Sequence, residues 1–331
     1  MNKKHTLSVL FLIPISITLL AFGYIFDIKN TELKENETLI FSAKITHLAD
    51  SLIHNIQIER GLSAGFLASK DMSSNKEKLI KQQNSTDKFY NNFIKVLQNT
   101  QEQKKFNKLI QDKKILSEIK IQMDKIKSIR ERVLSHNISF NNEIKYYSNI
   151  NTKLLNIIHN FAIFDTKNNY EGILIYDIET LKENLGLERA YIYNQLLSTK
   201  TQDTKYEKIK ELIITQKVLR KNFLLDATPQ IKEFYNRFVD EFSLEEIQNF
   251  RDAFLSKKLS SLDAKRWFVL STNFIDRHEA LSMNILDLYR KNIEQNYDKA
   301  QNTIYIISLF LILYIILTLI VSYIFRSTLV R

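Results

Sequence analysis

The chain reads as an all-α protein, two helical bundles held between two membrane-spanning helices, and three observations predict it. Only 5 Gly and 2 Pro occur in 331 residues, against a usual share of roughly 12% for the two together, so the residues that tight hairpins need are scarce. Residues 7–26 and 303–325 are uncharged and largely apolar, each long enough as a helix to cross the roughly 30 Å of a bilayer's hydrocarbon core. Between them, Asn55-Ile56-Gln57-Ile58-Glu59-Arg60 returns 129 positions later as Asn184-Leu185-Gly186-Leu187-Glu188-Arg189. One such motif would lead each bundle.

Taken in order, residues 1–6 carry Lys3, Lys4 and His5 ahead of the first span, and Arg326 and Arg331 follow the second. Positive flanks face the cytoplasm, so both termini are expected inside and residues 27–302 outside. A cleaved signal peptide is the competing reading of 7–26, but the run is long for one and no small-x-small pattern follows Phe26. Start and stop signals then give about eight helices, at roughly 30–70, 75–111, 114–136, 140–165, 170–200, 204–226, 229–257 with a break at Ser243, and 261–302. Ser74 with Glu77, Thr204 with Glu207, and Ser243 with Glu246 have capping-box spacing. Thr228-Pro229 places Pro at a first helical position. Polar breaks at 70–74, 112–113, 135–142 and 165–170 supply the other ends, and the boundary between bundles falls near residue 168. No Gly or Pro interrupts 25–59 or 261–325, so the first and last helices are expected to run on into the spans. Only 326–331 would lie inside, which leaves the output module to a partner chain or to further sequence.

Composition excludes several classes. The formal charge of residues 27–302 is +6, the total of +10 less the four flanking Lys and Arg. That excess attracts anions weakly, but the lysines are spread along polar faces without an aromatic-basic stripe, so no nucleic acid is expected as partner. Cysteine is absent, which removes disulfides and thiol chemistry. The six histidines are scattered, and His47 with His54 would need further ligands to hold zinc, so no metal is expected. No glycine-rich phosphate loop, nucleophile elbow or His-Glu-x-x-His segment occurs. An enzyme is not expected, nor any cofactor.

The repeated motif interrupts two apolar stripes. Ile45, Ala49, Leu52, Ile56, Glu59, Ser63 and Phe66 follow a 4-3 spacing, as do Leu174, Ile178, Leu181, Leu185, Glu188, Ile192 and Gln195, the spacing of a packed helix seam. A carboxylate in such a seam is costly unless paired. An arginine one residue on points about 100° away, toward a neighbouring helix. Glu59 and Glu188 would therefore orient donors while Arg60 and Arg189 converge where the bundles meet. A guanidinium fork suits a planar oxyanion and keeps its charge. The residues fit a shared site for a small anion and fit equally a ligand-free brace. After Arg60, the small face of Gly61, Ala64, Gly65 and Ala68 favours close backbone packing over ligand room.

These residues resemble the nitrate- and nitrite-sensing (NIT) domain of bacterial receptors. Gln57-Ile58-Glu59-Arg60-Gly61-Leu62-Ser63-Ala64-Gly65-Phe66-Leu67 is similar to its opening signature, Glu183 to Ala190 to its second-half segment, and Trp267-Phe268 with Thr272, Ile275, Asp276 and Glu279 to its last helix. The resemblance covers about residues 30–300. It implies two four-helix bundles forming one periplasmic sensor domain, with nitrate or nitrite held between them by arginines. Arg60 and Arg189 carry over as ligand-binding residues, with Glu59, Gly61, Ser63 and Glu188 in support. An adjacent arginine pair is lacking, since Glu59 and Gly61 flank Arg60. Arg251 is the candidate third contact, and Arg220, Arg237 and Arg266 are fallbacks. The resemblance further implies a chemoreceptor-like homodimer in the inner membrane, signalling through the second span. Alternatives are a sensor of another small, carboxylate-like anion and a ligand-free helical spacer or partner-docking protein.

Overall fold

A computed structural model describes residues 3–68, 73–164, 171–198, 203–258 and 262–329. Among them every regular element is a helix: α1 (Lys3–Ala68), α2 (Ser73–Leu97), α3 (Thr100–Leu109), α4 (Ile115–Asp124), α5 (Ile126–Leu134), α6 (Phe140–Phe164), α7 (Glu171–Leu197), α8 (Asp203–Asp226), α9 (Pro229–Phe238), α10 (Glu241–Leu255) and α11 (Ala264–Leu329). The chain divides into two compact units, Met1–Ile40 with Arg290–Arg331, and Phe41–Tyr289.

In the first unit, the described stretches of α1 and α11 expose large apolar side chains such as Leu20, Phe310 and Leu319. Two helices, Ile13–Ala68 and Ala264–Phe325, are long and apolar enough to cross a membrane, and the expected spans 7–26 and 303–325 lie in α1 and α11. Pro14 sits inside α1, with the Thr18 hydroxyl donating to its carbonyl at 2.9 Å.

The second unit holds two bundles of four rods. In the first bundle, α1 from residue 41, α2–α3, α4–α5 and α6 pack together. Gln82 of α2 donates to the Asn55 carbonyl of α1 at 3.0 Å, Phe106 of α3 meets Phe161 of α6 edge-on at 6.0 Å, and the Tyr146 phenol of α6 donates to the Gln122 carbonyl of α4 at 2.6 Å. The second bundle repeats the plan with α7, α8, α9–α10 and α11 to residue 289. Phe223 of α8 packs on Tyr235 of α9, Tyr206 of α8 on Phe254 of α10, and Phe250 of α10 on Trp267 of α11. The apolar stripes form these cores: Ile45, Ala49, Leu52 and Ile56 are wholly buried, as are Leu174, Ile178 and Leu181. Each such Leu or Ile contributes roughly 1.5–3 kcal/mol.

Eleven described helices replace the expected eight because local capping cuts three long segments. The Asn99 side chain accepts from the Gln101 and Glu102 amides and starts α3, dividing 75–111. Lys125, with its amide bonded to the Gln122 carbonyl at 3.0 Å, tightens one step between α4 and α5. The expected break at Ser243 lies earlier: Asp240 caps α10 by accepting from the Ser243 amide at 2.7 Å, which makes Ser243 a first-turn residue. Thr228 caps α9 with Pro229 at its start. Thr204 falls inside the first turn of α8, one residue beyond its start. The Ser74 side chain and the bundle boundary near 168 lie outside the described residues.

Candidate functional site

Each glutamate of the repeated motif turns into its own bundle and meets an arginine from the third rod. Glu59 is fully buried. Arg130 of α5 donates to it through Nε at 2.8 Å and Nη2 at 3.0 Å, and the Tyr147 phenol adds a third bond at 2.8 Å. Arg130 also reaches Asp87 at 2.9 Å and the Gln83 carbonyl at 3.1 Å. In the second bundle Glu188 accepts from Arg251 of α10 through Nε at 2.7 Å and Nη2 at 2.6 Å, and from Gln216 of α8 at 2.9 Å. Bidentate forks of this kind satisfy a buried carboxylate that would otherwise be prohibitive.

The following arginine in each motif faces the other bundle. Arg60, without exposed surface, is paired through Nη1 and Nη2 with Glu183 of α7 and donates to the Ser148 hydroxyl of α6 at 2.8 Å. Glu183 is further held by Gln57 at 3.0 Å and Asn151 at 2.9 Å. Arg189 crosses in the opposite direction. Its Nη2 donates to the Gln57 carbonyl of α1 at 3.0 Å and its Nη1 to the Thr272 hydroxyl of α11 at 2.9 Å, while Phe268 lies 5.3 Å below the guanidinium. Trp267 ties to the Arg189 carbonyl at 3.1 Å.

The two arginines differ in charge balance. Among the described residues Arg189 forms no ion pair, although it is 1% exposed. Burial, and then the nearby Arg60, push its guanidinium down to about 10. The Nε of each arginine is buried with no partner. Asp276 and Glu183 offset part of this through space, but among the described residues no carboxylate hydrogen-bonds the group, and a buried cation without such a partner is costly.

Glycines shape the crossing of α1 and α7. A Cβ on Gly61 would lie 3.0 Å from the Arg189 Nη2, and one on Gly186 2.9 Å from the Arg60 Nη2. Each guanidinium thus occupies the face a side chain would cover on the opposite helix. Ser63 is buried inside the first bundle beside the Tyr147 phenol. Glu143 of α6 is fully buried with both carboxyl oxygens unpartnered, and burial holds it well above the usual carboxylate range.

Arg237 pairs with Glu233 and Arg266 with Glu246 on exposed surface. Arg220 is half-buried on α8, with its Nε and Nη2 unpartnered. His47 is exposed and His54 half-buried. Asp50 of α1 and Glu179 of α7, with Glu279 of α11, surround Lys182, whose ammonium lies 2.7 Å from Asp50 and 2.8 Å from Glu179. The three acids stand close enough to hold a metal ion, and the lysine already supplies the cation among them.

Arg130 and Lys182 escaped the sequence reading. A signal for the former exists: Arg130-Glu131-Arg132-Val133-Leu134-Ser135-His136 matches Arg251-Asp252-Ala253-Phe254-Leu255-Ser256-Lys257 in residue type at every position except Arg132 against Ala253, 121 positions apart. Both segments end their helix identically. His136 and Lys257 adopt φ of 53° and 56°, and Asn137 and Lys258 donate back to Arg132 and Ala253, a Schellman ending.

A family model described as nitrate and nitrite sensing matches residues 51–288. No curated protein matches the chain. Among solved structures, that of the NasR transcription antiterminator is similar, with a TM-score of 0.66 and 14% identity, over 86% of this chain and 82% of its own. At that identity the likeness is one of fold.

Proposed function

Because this chain belongs to the nitrate and nitrite sensing family, we propose that it is a two-pass receptor of the cytoplasmic membrane whose segment 27–302 lies outside and binds nitrate or nitrite in the seam between the bundles. One observation supports this reading most: Arg189 is buried, bonded to Gln57 of α1 and Thr272 of α11, and forms no salt bridge among the described residues, Asp276 and Glu183 reaching it only through space. Nitrate would supply the missing charge and accept from its free N–H groups and from the Nε of Arg60. Glu59 and Glu188 serve as struts that fix the motif helices, with Arg130 and Arg251 as their partners. Arg251 could reach a ligand only by leaving Glu188, so its part is bracing. Gly61 gives Arg189 its place, and Ser63 packs beneath the first motif.

The same geometry supports a route for the signal. Arg189 touches α1 through Gln57 and α11 through Thr272 and Trp267. An anion that prefers one arrangement of these helices shifts α11 relative to α1, whereas one with equal affinity for both would move nothing. The receptor acts as a homodimer and passes its signal through α11 to a cytoplasmic output module. Its role is recognition, not catalysis.

The test is thermal unfolding of the full-length chain in detergent with nitrate, nitrite, chloride and acetate. Ligand at 100 times its dissociation constant stabilises by about 2.7 kcal/mol. Arg60→Ala and Arg189→Ala should each lose the nitrate response while keeping parental helicity. If both respond like the parent, the site is elsewhere. Stabilisation by acetate alone would identify a carboxylate sensor, and no response to any anion would leave the helical spacer.

A further inference from the structure

The two bundles repeat one plan, so each seam residue has a counterpart. Along the uninterrupted helices α1 and α7 the shift is 129 residues, which pairs Glu59 with Glu188, Arg60 with Arg189 and Gln57 with Gly186. The hydroxyls that the two Nη1 groups reach, Ser148 and Thr272, occupy the fourth rod of each bundle. On the same shift the counterpart of Glu183 is His54.

That pairing is where the symmetry fails. Glu183 takes the Arg60 fork and is supported by Gln57 and Asn151. His54 offers Arg189 no negative charge: burial lowers its imidazole to about 4, leaving it neutral, and its Nδ1 has no hydrogen-bond partner. It lies 3.6 Å from Glu279 and 4.0 Å from Asp276, both on α11, and within electrostatic reach of Arg189 and Lys182 on α7. The supporting amide is missing as well, because the fourth-rod position corresponding to Asn151, at the Ser148–Thr272 spacing, is the buried Ile275. Arg60 is therefore hydrogen-bonded to an internal acid, whereas Arg189 meets Asp276 and Glu183 only through space.

We propose that His54 is the specificity-determining residue of this site: standing where the other half of the repeat has a carboxylate, it leaves Arg189 to an external planar anion. The inference rests on the function proposed above and deepens it by naming the ligand's shape. The Glu183 carboxylate bound at Arg60 is the template, two oxygens on one planar centre, set against a guanidinium edge with a hydroxyl beside it. Nitrate, nitrite and small carboxylates present that edge. Chloride presents a single sphere, on which two N–H groups must converge, and so forfeits the parallel two-oxygen match of a planar oxyanion.

The experiment uses the full-length chain with sodium nitrate as probe and compares H54E with H54Q, each with Arg189 intact and with R189M. A glutamate at position 54 should act as an internal counterion to Arg189. The nitrate-induced rise in Tm should then persist in H54Q and vanish in H54E. In the absence of nitrate, the Tm of H54E relative to H54Q should be higher with Arg189 than in R189M, a difference that cancels any repulsion from Glu279 and Asp276. Equal nitrate responses in H54E and H54Q overturn the proposal, as does zero coupling between position 54 and Arg189. If H54E does not fold, E183H decides: freeing Arg60 should enlarge the nitrate-induced rise above the parent's, and an unchanged rise overturns the proposal. A parent that answers no anion refutes the proposed function separately, and the coupling measurement still decides whether position 54 governs Arg189.

Discussion

Replacing Arg130 with Met isolates what the buried struts contribute. The substitution removes the Nε and Nη2 bonds to Glu59, at 2.8 and 3.0 Å, the bond to Asp87 at 2.9 Å and that to the Gln83 carbonyl at 3.1 Å. Glu59, with no exposed surface, would keep only the Tyr147 phenol. Charge-assisted bonds contribute about 1.5–3 kcal/mol each, but two on one carboxylate do not simply add. Breaking one partner of a buried pair costs about 3–5 kcal/mol. Asp87 is half-exposed, so its share is at most about 1 kcal/mol. A loss of about 4 kcal/mol follows, which for a domain of this size lowers Tm by about 8–16 °C. Thermal unfolding followed by circular dichroism reads it directly. E59Q/R130M removes the stranded charge while keeping an acceptor for Tyr147, and should recover about half the loss or more. A drop below about 3 °C in R130M, or a double variant no better than the single, would refute the argument that Glu59 depends on this fork.

Gly65→Ala would place a Cβ 2.2 Å from Cε1 of the Tyr193 ring; overpacking costs about 1–3 kcal/mol, so Tm should fall despite a helix-propensity gain of about 1 kcal/mol. Gly23→Ala, whose Cβ meets nothing within 4 Å, is the control and should not lower it. The Asp50 carboxyl is raised to about 7, by burial first and then by Glu179. A raised carboxyl is held protonated by the fold, so its contribution is fully present below the unfolded value near 4 and is lost as pH rises to about 7. Tm measured between pH 4 and 7 should therefore fall less steeply in Asp50→Asn than in the parent, with at most about 1.4 kcal/mol per pH unit at stake; parallel slopes would contradict the assignment.

Much of this architecture is legible from periodicity, because the stripes that bury Ile45 to Ile56 and Leu174 to Leu181 need only spacing to be seen. Thr228-Pro229 was equally plain. The cuts at Asn99 and Asp240 were not, since a single Asx side chain capping a helix leaves the surrounding pattern intact, and the more conspicuous Ser243-Glu246 pair drew the break three residues too late. Lys182 illustrates a different limit. A lysine in a helix reads as solvated surface, and its partners Asp50 and Glu279 are 132 and 97 residues away, so only the tertiary fold reveals that it is buried. The difference between Arg60 and Arg189 was hidden for the same reason: the motifs look alike, and what separates them is the residue each meets across the seam.

The unequal neighbours of those two arginines have a bearing on how such a site can arise. Two identical subunits related by a two-fold axis must present the same residue at both equivalent places, so any counterion acquired on one side would appear on the other, and both sides would be closed or both open. Joining the halves in one polypeptide removes that constraint. Divergence can then make one half a fixed hinge-post and keep the other responsive, an arrangement that no assembly of single, identical half-domains could reach.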